Sequence, residues 1–393
     1  MRMEHHVPTQ SASLTWPASA LYRCRDPQTL VRMQHGMASN DNRRTIMDRA
    51  PKSPRRNAAS RVVLLVALAW FAAPAVAQPA SYDGPGMTLT LATGTNKNIS
   101  RGKQWNHFAE LVDAMTGGKV KVRVFYDGTL YGERTSIEAV LNNSIDIGTS
   151  ANPQYAPFTN AMLWMDMPYV VDDQAQLRKL IDGAPGQEIR SALEQKPGLK
   201  VLMMNDNGGG RPVLTVSKQI KVPADLKGLK IRSTASPVDQ AIWRAWGASP
   251  TPIDFAEVYS ALQSKVVDGY APNWNDAVGS KQVELLKYAA DVNYVVGVQV
   301  AVMRLDKFNA LPKALQDVLV KAGRETELWG IKVDADEVAT MEDIFRKDGV
   351  QIYTPTPPEM SEWKRLARSV WGQFSKLVPT EKLEQLQKRA GSQ

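Results

Sequence analysis

The sequence predicts an α/β protein of two lobes joined by a hinge, and three observations predict it. Short apolar strands alternate with amphipathic helices, the same strand-and-helix order begins again after Gly208, and the 316 residues from Gln78 onward suffice for two cores. No internal repeat at a solenoid period is present.

In chain order, Thr88 to Ala92 alternates as a short strand. Trp105, Phe108, Leu111, Val112 and Met115 then share one face of a helix that stops at Gly117-Gly118, a C-terminal signal. Lys119 to Phe125 puts three valines on one face and three basic residues on the other, which predicts a half-exposed strand. Tyr126-Asp127-Gly128 turns the chain, Arg134 to Asn142 reads as helix, and Ile145 to Thr149 as a buried strand. In the second lobe, Val213 to Val216 and Gly228 to Arg232 read as strands. Val238, Ala241, Ile242 and Ala245 mark a helix that ends at Gly247. Tyr294 to Met303 is a further strand. From Pro312 onward the chain reads mostly helical, with Leu315, Val318, Leu319, Trp329, Ile344 and Phe345 as expected buried positions.

The N-terminus predicts where the protein works. Arg55, Arg56 and Arg61 precede the apolar run Val62 to Ala75, and Ala75-Val76-Ala77 fits a secretory cleavage site before Gln78. That run is shorter than the ~20 apolar residues of a membrane-spanning helix. Translation from Met47 would give an ordinary leader of 31 residues, so the polar residues before it read as an overextended start. Removing residues 1–77 leaves 37 basic against 36 acidic side chains, and the charge falls from +8 to +1. Nucleic acid and acidic membrane lose their support as partners. The same removal takes Cys24 and three of the four histidines, leaving His107. A Cys/His zinc site, a thiol nucleophile and any mechanism needing two histidines are excluded. No Ser-His-Asp grouping, phosphate loop or nucleotide fingerprint stands in the mature sequence, so no catalytic residue, metal or cofactor is expected. His107, with no patterned partner, reads as a capping or surface residue.

Arg232 ends a strand directly before Ser233-Thr234-Ala235-Ser236, which sets a planar guanidinium beside hydroxyls and a helix start, equipment for holding an anion such as a carboxylate, although an arginine at a strand end more often makes a surface ion pair. Arg211 follows Gly208-Gly209-Gly210, where missing side chains permit close backbone approach and hinge torsions. Asn96, beside Thr95, and Ser150 and Asn152, with Tyr155, stand where strands of an open α/β sheet end and ligands gather. Each also suits plain turn chemistry. Glu133 and Glu138 read as helix-start and surface residues.

The pieces GGGRPVLTV, LKGLKIRST and PTPIDFAEVYSALQSKVVDGYAPNW, in that order and spacing, resemble the solute-binding subunit of tripartite ATP-independent periplasmic (TRAP) transporters, the DctP-like family. The resemblance runs from about Leu89 to about Lys382. It implies a two-lobed periplasmic-binding-protein-like fold with a hinge, and a long helix spanning both lobes. The lobes would comprise 78–208 with about 296–336, and 209–295 with about 337–393. It implies further that Arg232, in Lys230-Ile231-Arg232, clamps a ligand carboxylate, with Arg211 a second contact and Phe255 lying against the ligand. Where relatives carry a Glu-Asn-Pro-like tripeptide, this chain has Tyr270-Ala271-Pro272-Asn273-Trp274, so either Asn273 takes the contact from a new angle or Trp274 replaces it by a stacked face. The implied function is a periplasmic receptor that captures a small organic acid and delivers it to membrane permease subunits. The alternative is a periplasmic sensor presenting that acid to a signalling receptor. A secreted enzyme lacks its nucleophile and base.

Overall fold

A computed structural model describes residues 82–391. The expected leader, its cleavage after Ala77 and the start at Met47 lie outside the described residues.

The chain begins with β1 (Met87–Ala92), α1 (Ser100–Met115), β2 (Val120–Phe125), α2 (Glu133–Leu141) and β3 (Ile147–Ala151). These are the predicted elements with ends shifted by a few residues. Short helices follow, α3 (Leu163–Asp166), α4 (Gln174–Ile181) and α5 (Ala184–Gln195), and then β4 (Leu199–Gly210). β4 includes Gly208, Gly209 and Gly210, the three glycines expected to permit hinge torsions. Gly208 and Gly209 take φ of +79° and +77°, which other residues resist, and a Cβ on Gly208 would stand 2.2 Å from Asn275 Oδ1.

The second half contains β5 (Val213–Thr215), β6 (Lys230–Ser233), α6 (Pro237–Ala245), β7 (Ser249–Pro252), α7 (Val258–Gln263), β8 (Gly269–Tyr270), α8 (Trp274–Gly279), β9 (Tyr288–Ala290) and β10 (Val296–Arg304). It ends with α9 (Leu305–Ala310), α10 (Lys313–Lys347), β11 (Gln351–Tyr353), α11 (Pro357–Arg368) and α12 (Thr380–Ala390).

The strands form two sheets. The first has the order β2-β1-β3-β10-β4, with β1 parallel to both neighbours and β10 antiparallel to β3 and β4. The second has the order β11-β9-β5-β8-β6-β7. β10 follows β5 to β9 of the second sheet in sequence yet pairs in the first sheet, and β11 returns to the second, so the chain crosses between the two sheets more than once.

α10 passes from one core to the other. Its first half packs Leu315, Leu319 and Ala322 with Trp105 and Phe108 against the first sheet. Gly323 allows the close approach, since a Cβ there would meet the Leu202 carbonyl at 2.3 Å. Its last turns place Met341 and Phe345 among Trp274, Leu214 and Val267 of the second core. Burial of these side chains at ~25 cal/mol per Å² of apolar area holds a helix too long for either core alone. One expected core residue is not in either: Trp329 is 38% exposed and stacks on His107 with ring centroids 4.2 Å apart. Its spacing from Thr326 and Gly330 turns it to the edge of the buried stripe, where it covers α1.

Candidate functional site

A cavity lined by residues of both sheets lies between them. The second sheet contributes Arg232 from β6, Thr234 just beyond it, and Ala271, Pro272 and Asn273 beyond β8. The first contributes Ala151 at the end of β3, Pro153 and Gln154 beyond it, Asn207 from β4, Gln299 from β10 and Glu133 from the start of α2. Arg211 enters from the link between β4 and β5. The cavity thus sits at the carboxyl ends of β3, β6 and β8, where parallel strands stop and leave unpaired polar backbone facing a crevice.

Arg232 is 5% exposed. Its Nε donates to the Ile253 carbonyl at 2.9 Å, and no hydrogen bond occupies its terminal nitrogens among the described residues. Burial lowers its pKa despite Asp239 and Glu133 nearby, so its positive charge is poorly compensated. The Phe255 ring stands 5.9 Å from the guanidinium carbon and keeps this end of the cavity dry.

Arg211 differs. Burial works against its charge too, but Tyr294, Asp239, Asp166 and Asp276 outweigh burial and raise its pKa. Around it, Tyr294 donates to Asp239 at 2.9 Å, and Asn152 donates to Asp166 at 2.7 Å. Asp166 is pushed up to about 7, chiefly by burial.

A third buried arginine, Arg101 from α1, crosses to the second sheet. It makes an ion pair with Asp276 of α8 and donates to Asn207. Burial works against the Arg101 charge, but Asp276 together with Glu133 and Asp334 outweighs it and raises the Arg101 pKa. Around this pair, Ser100 donates to Asp334 of α10 at 2.6 Å, the Gly208 amide donates to the same carboxylate at 3.0 Å, and Asn275 donates to Ser100 and Glu337 at 3.0 Å each. α1, β4, α8 and α10 are therefore joined by one buried polar network.

Four of the residues singled out from sequence line the cavity: Arg232, Arg211, Phe255 and Asn273. Asn273 donates to the Gly209 carbonyl at 2.7 Å and accepts from Asn207 at 3.2 Å, so it also ties β4 to the start of α8. The other four are not among the lining residues. Trp274 is 5% exposed and packs edge-on against Phe345 in the second core, with ring centroids 4.9 Å apart. Asn152 is occupied by Asp166 and the Val298 amide. Asn96 bonds Asp127 and the Asn98 amide, the turn chemistry its residue type suits. Ser150 is buried one residue before the lining Ala151, and its hydroxyl has no partner among the described residues.

Glu133 opens α2 as expected but is 8% exposed and lines the cavity, which corrects its reading as a helix-start residue and nothing more. Its one signal in the sequence is its place after a strand, a turn and Gly132, where a helix begins at the sheet's carboxyl edge. Gln154, Asn207, Gln299, Asp276 and Arg101 carried no local signal, because each reaches the site through pairing or packing distant in sequence.

Comparison with known proteins gives a consistent picture. The family model described as bacterial extracellular solute-binding protein, family 7 (DctP) matches residues 91–377. The chain is 32% identical over 267 residues to the 2,3-diketo-L-gulonate-binding periplasmic protein of Escherichia coli (strain K12), covering 68% of this chain and 81% of that one. It is 28% identical over 274 residues to the C4-dicarboxylate-binding periplasmic protein of Vibrio cholerae, covering 70% and 81%. Its fold is similar to the crystal structure of a TRAP periplasmic solute-binding protein from Sulfurospirillum deleyianum with bound succinate, at a TM-score of 0.73 and 26% identity, over 77% of this chain and 99% of that one.

Proposed function

Since this chain belongs to family 7 of the bacterial extracellular solute-binding proteins, we propose that it captures a small organic acid in the cavity between its two sheets and delivers it to the permease subunits of a TRAP transporter. It is a transport receptor and not an enzyme. The single observation that carries the ligand class is Arg232, a buried arginine whose terminal nitrogens face a cavity without a protein partner. A carboxylate supplies two acceptors in the plane of that fork and the countercharge the site lacks. Arg211, held among acids of its own, serves as an auxiliary donor, and Asn273 takes the polar contact offered in relatives by the Glu-Asn-Pro-like segment.

Closure follows from ligand preference. A carboxylate that touches elements of both sheets binds the closed arrangement better than an open one, and binding shifts the hinge equilibrium without a covalent step. The same reading divides the lobes near residues 208, 296 and 337, and the distribution of strands between the two sheets supports that division. It also takes the protein to be exported with a cleaved leader. The family's periplasmic members support this compartment.

Thermal-shift screening against organic acids and neutral sugars tests the ligand class, because a ligand that binds only the native state raises its apparent stability. Carboxylates should raise the melting temperature. A panel in which neutral sugars shift it and no acid does would overturn the proposal.

A further inference from the structure

The rim of the cavity carries a contact between the two halves of the protein that the carboxylate anchor does not use. Gly132 directly precedes α2 on the first sheet's side, and Asp254 follows β7 of the second sheet. A Cβ on Gly132 would find Asp254 supplying its three nearest atoms, Oδ1 at 3.3 Å, Oδ2 at 3.5 Å and Cγ at 3.6 Å. Each of the two residues is followed by one that lines the cavity, Glu133 after Gly132 and Phe255 after Asp254. Gln154 lines both the cavity and an outer groove shared with Arg134, Thr135, Pro252 and Asp254, and Arg134 and Thr135 are exposed. The contact therefore stands between the cavity and solvent.

The backbone of Gly132 does not ask for glycine. Its φ of −71° and ψ of −177° are extended values that any residue adopts. Gly132 is also the N-cap of α2, a place where Ser, Thr, Asp or Asn ordinarily supplies an oxygen to the first amides of a helix. No side chain caps α2 from that position, and the amides of Glu133, Arg134 and Thr135 have no acceptor among the described residues. Across the gap Asp254 has an oxygen to spare. Its Oδ1 accepts from the Ala256 amide at 3.2 Å, while its Oδ2 has no hydrogen-bond partner and its carboxylate no ion pair among the described residues. A carboxylate beside a helix N-terminus is favoured by the aligned peptide dipoles. Glu133 opposes it weakly, because burial raises the Glu133 pKa and leaves less charge to repel Asp254. The Glu133 carboxyl is also turned to Gln299 Nε2, from which it accepts at 2.8 Å.

We propose that Gly132 and Asp254 are the closure latch of this receptor: Asp254 caps α2 from the opposite half when the two halves meet, and the missing side chain of Gly132 lets it approach. The proposal rests on the closing receptor described above and adds to it two positioning residues that line no part of the cavity. A cap carried by α2 itself would stabilise the open and closed forms equally and shift nothing. A cap supplied across the cleft exists in the closed form alone, so its whole free energy favours closure.

Two variants test this. Gly132→Thr gives α2 a cap of its own and sets a branched side chain against Asp254. Asp254→Ser keeps an oxygen for the Ala256 amide but is too short to reach α2. Calorimetry and stopped-flow binding with gluconate, glucuronate and succinate give affinities and rates. For each acid that binds the wild type, Gly132→Thr should weaken binding ~5- to 100-fold, the range of overpacked contacts. Asp254→Ser should weaken it ~2- to 10-fold, the range of a charge at a helix terminus. Both losses should fall chiefly in koff, because the latch forms only after closure. The double variant should bind more tightly than Gly132→Thr alone, since the partner of the clash is gone. In urea unfolding without ligand, Gly132→Thr should be no less stable than the wild type. A Gly132→Thr protein that binds as tightly as the wild type, losses that add in the double variant, or a less stable Gly132→Thr protein each overturn the latch. Arg232→Ala binding the acids as before overturns the carboxylate anchor and spares the latch. If none of the three acids binds the wild type, the anchor loses its support and spin labels decide the latch. The chain from Gln78 onward has no cysteine, and labels on Asn142→Cys and Gln263→Cys sit at the exposed ends of α2 and α7. The mean distance between them should be longer with Gly132→Thr than without it, and equal distances overturn the latch.

Discussion

Arg232 makes opposite predictions for binding and for stability. Its guanidinium is 5% exposed, makes one hydrogen bond to the Ile253 carbonyl, and has its pKa lowered by burial. In this arrangement without ligand it is therefore a buried charge without adequate compensation. Replacing it with methionine keeps an unbranched side chain of similar reach and removes that charge. The lost hydrogen bond to Ile253 costs about 1 kcal/mol, while relief of the desolvated charge offsets this and can exceed it. We expect the empty Arg232→Met protein to be between equally stable and ~2 kcal/mol more stable than wild type in urea unfolding, a range set by what buried ion-to-apolar replacements give. Its affinity for the ligand should fall by ~2–5 kcal/mol, because the ligand carboxylate is left buried and unpaired, a loss of roughly 30-fold to several-thousand-fold. Arg232→Lys should also bind poorly, since an ammonium keeps charge but not the planar fork. Calorimetry and urea unfolding on the same preparations provide the assay. A folded Arg232→Met protein that keeps wild-type affinity refutes the anchor. One that keeps its fold but loses several kcal/mol of stability when empty refutes the claim that the charge is uncompensated.

Two other expectations concern the surroundings of the site. Asp276→Asn strands the Arg101 charge, whose side chain is 2% exposed; a broken buried pair costs about 3–5 kcal/mol, and a loss below 1 kcal/mol in urea unfolding would mean that water reaches the pair. Asp166, raised to about 7 from an ordinary 3.8, binds its proton more tightly folded than unfolded, so its contribution to stability is full below pH ~4 and is lost as pH rises toward about 7. Asp166→Asn removes that dependence, and its unfolding free energy relative to wild type should rise with pH across this window, by at most ~1.4 kcal/mol per unit; a difference that stays flat contradicts the raised value.

The sequence by itself determined most of the elements, and half of the residues it singled out line the cavity. Strands such as Lys119 to Phe125 and helices such as the one through Trp105 and Phe108 are written in local periodicity, because each buries one face and the period of that face is fixed by backbone geometry. Arg232, Arg211, Phe255 and Asn273 were legible because they sit in one continuous stretch of recognisable wording. Trp274, one residue further on, could not be told from a ligand contact by pattern. Only packing against Phe345 of α10, 71 residues later, shows it to be core. Asn152 and Asn96 carry the residue type of a site but spend their amides on Asp166 and Asp127. Glu133 looked like an ordinary helix start, since the sequence cannot state what faces a side chain. Tertiary structure alone decided that its neighbours are Gln299 and a cavity shared with Arg232. The physical reason is one of range: periodicity and turn chemistry act over a few residues, whereas desolvation and charge compensation depend on groups that meet only when β3, β6, β8 and β10 have been brought together by long-range pairing.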